Sequence, residues 1–410
     1  MNNDVKILRG LAYQYAEAMH SERNARIKQL YIASNDLHMI RPVVCIDEIP
    51  WGQINVDGSM DCLCEDDGLR GVEWGMREAL FRRKYLPVDT YINEYIGVQR
   101  AVHVTGCGLE VEEHTIASET DTSIVSHEFT DLLALEDALE QLQMPVVTYD
   151  HEKTMAKFNK IGEAIGDILP VRLCGTNVYY NSEWDTIARY RGVMPLLMDL
   201  YDRPEHSHAV AQKFFALVAS EFAQKEALGL LDSDAPRLHC TPGFTEDLPA
   251  PTDGKVTRKN LWGRGTAQAF GSVSPDMHDA FDIQYQIATT GSCGLVYYGC
   301  CEPLHNKIDI VEKIPNLRKI GVTPWADVDV ATEIIGGRYV VSNKPNPAAV
   351  AVAHLDEDEL RRELGKTLAA CKRNGVRGLD ITLKDISTVH HNPQNLFRWA
   401  QIAMELAEGY

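Results

Sequence analysis

Residues 294–311, GLVYYGCCEPLHNKIDIV, hold the turn on which the reading of the fold rests. Leu295, Val296, Tyr297 and Tyr298 form a short apolar run rich in β-formers, the pattern of a buried strand. Gly299, Cys300, Cys301, Glu302 and Pro303 follow, and then Leu304, Ile308 and Val311 recur at helical spacing, with Pro303 suited to a first helical turn. Two thiols and a carboxylate are therefore expected between the carboxyl end of a strand and the amino end of a helix. Unpaired N–H groups at such a helix start favour a thiolate.

The same alternation runs outward in both directions. Downstream, strands are expected over 319–323, 339–342 and 376–382, and helices over 328–335, 356–374 and 395–408. Upstream come a strand over 169–174, a long helical region over 182–230, a short strand over 237–240, a loop rich in Pro, Gly and Thr over 241–265, and a helix over 274–289. About eight strand candidates spread over roughly 320 residues fit a closed (β/α)8 TIM barrel better than an open sheet. An open dinucleotide-binding sheet lacks its fingerprint, because neither Gly263-Arg264-Gly265 nor Gly106-Cys107-Gly108 carries the third glycine in the required strand-to-helix setting.

Before the barrel, 4–34 reads as one long amphipathic helix, 41–46 as a strand and 73–85 as a helix. We take 1–87 as a helical extension packed on the barrel and 88–410 as the barrel, with its first buried strand over 89–98. A β-hairpin insertion is expected over 102–116, turning at Gly106–Gly108.

Composition narrows the function. The net charge of −19 argues against a nucleic-acid partner, which needs an excess of Lys and Arg. No apolar run is long enough for a membrane span or a signal peptide, so a cytoplasmic chain is expected, with its 10 cysteines reduced or bound to metal.

In a (β/α)8 barrel, chemistry gathers on the loops after the strands. Those loops carry His239 and Cys240, then Cys300, Cys301 and Glu302, then Pro324 and Trp325, then Asn343 and Lys344, then Lys384 and Asp385. Thiol, imidazole and carboxylate from different strands are what a catalytic Zn2+ with an open position requires. Each of these cysteines is equally readable as a small buried hydrophobe. Trp325 and Tyr298 read either as core packing or as walls for a flat aromatic substrate.

Three segments resemble a known family. Residues 339–347 (YVVSNKPNP) resemble the "QGNLDP" turn of the uroporphyrinogen decarboxylase superfamily. Residues 378–396 (GLDITLKDISTVHHNPQNL) resemble its late strand, its "GHG" loop and its "TPxEN" helix start, and 271–287 (GSVSPDMHDAFDIQYQI) resembles a further segment. The early "RQAGRY" motif of true decarboxylases is missing. Residues 41–51 (RPVVCIDEIPW) and 64–89 instead resemble the corrinoid-dependent methyltransferase branch, the first components of O-demethylase systems.

The resemblance implies a (β/α)8 barrel that moves a methyl group from a small methoxylated substrate to the cob(I)alamin of a separate small corrinoid protein. The cobalamin belongs to that partner, since the chain has no DxHxxG pattern. Related coenzyme M methyltransferases bind zinc through His-x-Cys and a later Cys, and here only Cys300 falls on that pattern. The implied Zn2+ ligands are drawn from His239, Cys300, Cys301 and Glu302, with His305 as a further candidate. Glu302, Asp385 and Glu48 are the expected acid and base groups, and Tyr298, Trp325, Asn343 and Trp51 the expected substrate contacts. The alternative is a cofactor-independent decarboxylase, which would need clustered arginines, whereas Arg237, Arg264, Arg318 and Arg377 are scattered. Oligomeric state, a homodimer included, is left open.

Overall fold

The computed structural model describes residues 2–117, 125–134 and 137–410. Seven strands form one sheet: β1 Val43–Ile46, β2 Val178–Asn181, β3 Trp262–Gly265, β4 Leu295–Tyr298, β5 Leu317–Val322, β6 Val340–Asn343 and β7 Leu379–Leu383. Their spatial order is β1-β7-β6-β5-β4-β3-β2, and every pairing is parallel. All residues of β3, β4, β6 and β7 are buried, as expected for a parallel sheet covered on both faces. Because the strands are parallel, their carboxyl ends share one edge.

A second parallel pair, Ile96–Gln99 with Val171–Cys174, lies beside this sheet. Val171–Cys174 runs within three residues into β2, with Thr176 bridging Leu231 on the way. Parallel pairing thus runs from Ile96–Gln99 through the bent segment 171–181 and β3 to β7, ending at β1. The outer edge of β1 is capped rather than paired. Asp89 accepts from the Val44 N–H at 2.9 Å, its own N–H donates to Val44 O, and Arg41 grips its carboxylate at 2.7 and 2.9 Å.

Several expected elements are relocated. The segment expected as a helical extension contributes β1 to the main sheet, so a boundary at residue 87 cuts through the core. The helix expected over 4–34 is two, Asn3–Met19 and Glu22–Asn35, because Ser21 caps the second through Asn24 N. The region 182–230 is three helices, Glu183–Arg191, Val193–Asp202 and Pro204–Ala227, broken at left-handed Gly192 and at Pro204. The hairpin does not turn at Gly106–Gly108. Ala101–Val104 pairs with Val147–Asp150 instead, and the hairpin is Glu113–Ala117 with Val125–Phe129, whose connection lies outside the described residues.

The strand hidden inside the expected loop is β3, WGRG. Glycine usually weakens a strand, but a Cβ on Gly263 would meet Thr290 O at 2.8 Å, and one on Gly265 would meet the Tyr298 ring at 2.9 Å. Close approach of neighbours, not propensity, selects these residues. The aliphatic core lies between the sheet and the last helices: Ile320, Val341 and Ile381 pack in one cluster with Leu364, Leu396 and Trp399.

Candidate functional site

Arg237–Leu238 and Thr241–Pro242 form a short antiparallel pair, and His239 and Cys240 are its two turn residues. Their φ values are +43° and +77°. A two-residue hairpin with both central residues left-handed normally takes Asn-Gly, because other L-residues there cost about 1–2 kcal/mol each. The turn is held from below. Cys45 Sγ donates to Cys240 O at 3.1 Å, and Asp47 bridges Arg237 and Arg82. Glu48 and Asp385 are also left-handed, at φ +48° and +56°. Strain of this kind concentrates at functional sites.

The turn brings its imidazole to the end of β4. His239 Nε2 lies 3.0 Å from Cys300 Sγ and 3.1 Å from Lys384 Nζ. One ring nitrogen offers one proton or one lone pair, so it serves only one of these neighbours at a time. Cys300 Sγ is 3.5 Å from Cys301 Sγ, which in turn is 3.7 Å from Asp385 Oδ2. Lys384 Nζ pairs with Asp385 at 2.6 Å and approaches Glu48 at 3.7 Å. The Asp385 N–H donates to Glu48 Oε2 at 3.0 Å.

Charge follows from these contacts. The neighbouring Cys301 thiol and the His239 ring, helped by the Arg264 guanidinium, hold the Cys300 thiol well below its ordinary range despite its burial. Cys300 in turn pushes Cys301 up, so the adjacent pair carries one proton, on Cys301. Burial opposes the charge on Lys384, but the Cys300 and Cys301 sulfurs and Asp385 outweigh it and raise its pKa. Burial and the hydrogen bond to Asp385 raise Glu48. Burial also works against the Asp385 anion, yet Glu48 and Lys384 bring it below the usual range. The two carboxyls are thus pushed apart, with proton affinity raised at Glu48 and lowered at Asp385.

Beneath the cluster the inner face is polar and closed. Asp380 accepts from Ser342 and Thr382 and pairs with Lys319 at 2.9 Å, while Lys344 donates to Ser342 at 2.9 Å. The Arg264 guanidinium lies 4.2 Å from the Tyr297 ring centre, fully buried.

Several expected residues take other places. Glu302 is buried, and its carboxylate accepts from Thr266 Oγ1 at 2.9 Å, Ala267 N at 3.1 Å and Cys300 N at 2.9 Å. Both oxygens are engaged, so it anchors the Cys300 loop and is not free to bind metal or transfer a proton. The helix expected directly after Pro303 begins only at Ile308, so Cys300 owes its charge to side chains and not to a helix start. Tyr298 is fully buried, donating to Asp282 Oδ2 at 2.6 Å, and forms no substrate wall. Trp51 packs edge-on against Trp74 and Phe81 with Arg82 over its face. Asn343 is buried with its Oδ1 unpartnered among the described residues, and Trp325 is 69% exposed after β5. His239, Cys300, Cys301, Asp385 and Glu48 do converge.

Cys240 lies outside the expected ligand set, and its adjacency to His239 in the sequence is the signal that points to it. Glu48, His239 and Cys240 offer donor atoms that all lie within 4.8 Å of one another. Imidazole, thiolate and carboxylate are a donor set suited to zinc, with Cys300 beside the same ring. Burial pushes the Cys240 thiol up, so a metal would have to displace its proton.

No family model and no curated protein sequence matches the chain. Among solved structures, a methyltransferase from Methanosarcina mazei is similar over 93% of this chain and 98% of its own, at 11% sequence identity and a TM-score of 0.46. Among the described residues, no helix is long and apolar enough to cross a membrane.

Proposed function

We propose that this chain is a methyltransferase that moves a methyl group from a methoxylated aromatic substrate to the cob(I)alamin of a separate small corrinoid protein. The observation that carries the reading is the convergence of His239, Cys240, Cys300, Lys384, Asp385 and Glu48, from four separate stretches of chain, on one strand-end edge. The fold in this reading is a (β/α)8 barrel, with 171–181 as one bent strand and a seam between β1 and Ile96–Gln99.

A methyl ether is a poor electrophile because its leaving group is an alkoxide or phenoxide. The breaking C–O bond leaves its electron pair on oxygen while the methyl group passes to the reduced cobalt. That oxygen needs a proton or a Lewis acid as charge develops. Zn2+ held by His239 and Cys240, with Cys300 or Glu48 completing the set, would supply that Lewis acidity. Where Cys300 rather than Glu48 completes that set, Glu48, whose proton affinity is raised beside Asp385, would hand a proton to the leaving oxygen at the rim. Lys384, whose charge the Cys300 and Cys301 sulfurs and Asp385 sustain, offsets the sulfur charge. The decarboxylase alternative loses ground, since Arg237 pairs with Asp47, Arg318 with Asp247, and Arg264 is sealed against Tyr297. They do not gather around one anion.

Anaerobic incubation with a methoxyarene and a reduced corrinoid protein tests the reading. Release of the free phenol, without carbon dioxide from carboxylated analogues, supports it. Carbon dioxide release without any demethylation would replace it with the decarboxylase.

A further inference from the structure

Cys300 and Cys301 are neighbours in sequence, and their sulfurs lie 3.5 Å apart. In a strand, neighbouring side chains point to opposite faces, so this approach belongs to the loop after β4. Among the described residues they are the one pair of cysteine sulfurs in contact. Cys64, Cys293 and Cys371 are buried without a sulfur partner, and Cys45 Sγ turns to the Cys240 carbonyl rather than to its sulfur.

The two sulfurs differ in access. Cys300 is 1% exposed, with the His239 ring on its inner side. Cys301 is half-buried, and its Sγ lies 3.7 Å from the exposed carboxylate of Asp385. A small oxidant arriving at the strand-end edge therefore meets Cys301 first, with Cys300 directly behind it. The backbone between them is tethered, because the Cys300 N–H donates to Glu302 Oε2 at 2.9 Å and Glu302 is itself held by Thr266 and Ala267. Neighbouring Cα atoms stand only ~3.8 Å apart, below the usual disulfide range of roughly 4.4–6.8 Å, so a bridge here is strained and easily reduced.

We infer that Cys300 and Cys301 are a reversible redox pair, closed to a disulfide by hydrogen peroxide and reopened by thiols. One sulfur attacks the peroxide, the O–O bond breaks, and a sulfenic acid and one water result. The second thiol displaces the sulfenic oxygen, which leaves with the thiol proton as a second water while the S–S bond forms. The two thiols lose two electrons and two hydrogens, and the peroxide takes them up. The bridge occupies both sulfurs and withdraws Cys300 from His239. That closure stops the chemistry rests on the proposed methyl-transfer reading, whereas the bridge itself does not.

The test treats the reduced full-length chain with hydrogen peroxide and follows it by peptide mass spectrometry, with dimedone present to trap sulfenic acid. In the wild type, the peptide holding both cysteines is expected to lose about 2 Da, to carry little dimedone, and to regain its mass with dithiothreitol. Cys300→Ser removes the sulfur behind Cys301, so Cys301 should carry dimedone instead. Cys301→Ser should leave the peptide without the mass loss. A bridge formed by any other pair of cysteines, a dimedone adduct in the wild type equal to that of Cys300→Ser, or a bridge that dithiothreitol does not reopen would overturn the inference. If the bridge forms and reopens but the reduced protein passes no methyl group to cobalt, the redox pair stands and the transfer reading fails. If cobalt is methylated but peroxide leaves no bridge, the pair fails and methyl transfer stands.

Discussion

His239 Nε2 and Cys300 Sγ lie 3.0 Å apart although 61 residues separate them in the chain. The contact joins a strained hairpin turn to the loop after β4 and, after the neighbouring Cys301 thiol, helps hold the Cys300 thiol well below its ordinary range. In apo protein, thiolate ultraviolet absorbance followed against pH should therefore persist below the range of an ordinary thiol. His239→Gln should move that titration upward and leave the other thiols unchanged. A titration that does not move would show that the ring does not hold the thiolate.

Glu302 should behave as an anchor. Glu302→Ala leaves the Thr266 hydroxyl and two buried N–H groups without their acceptor, so a loss of roughly 3–5 kcal/mol in chemical denaturation is expected. Glu302→Gln keeps one acceptor oxygen and should lose about 1–3 kcal/mol while leaving zinc content unaltered. Loss of metal with stability intact would make it a ligand after all.

The His239-Cys240 turn sets stability against chemistry. At φ +77°, Cys240→Gly should be more stable than Cys240→Ala by about 1 kcal/mol, since glycine accepts the left-handed backbone freely. Both variants should bind less zinc than the wild type. Equal stability of the two would mean that the turn is not strained.

A pH dependence should come from Glu183, which is buried near Glu221 and Asp185. Burial first, and then those two carboxylates, push its pKa up from 4.5 to about 8. The folded state therefore holds a proton that the unfolded chain releases, so this contribution is complete below about pH 4.5 and lost as pH rises through 8. Melting temperature should fall between those values, and Glu183→Gln should flatten the slope. A parallel slope in the variant would place the titration elsewhere.

The second half of the fold was legible because its apolar runs and helical stripes alternate cleanly, and helix Val328–Ile335 lies at the expected residues. β3 was hidden because its two glycines and single charge look like a loop, and only the Thr290 and Tyr298 neighbours explain them. β1 is legible as a strand but not as part of the main sheet, since its partner β7 lies over 300 residues away and local pattern carries no long-range pairing. At the site, residue types and strand ends pointed to His239, Cys300, Cys301 and Asp385. The inward turn of Glu302 and Tyr298 depends on Thr266 and Asp282, which nothing in the local sequence connects to them.

The most direct measurement of the central claim is the anaerobic absorbance change of cob(I)alamin on a corrinoid protein, mixed with ortho-methoxyphenol and either the zinc-loaded wild type or His239→Ala. The account predicts conversion of Co(I) to methyl-Co(III) with the wild type, and a rate at least ~100-fold lower with the variant, as when a catalytic metal ligand is removed. Conversion at the wild-type rate in His239→Ala, or none by wild-type protein with any methoxyarene, would contradict it.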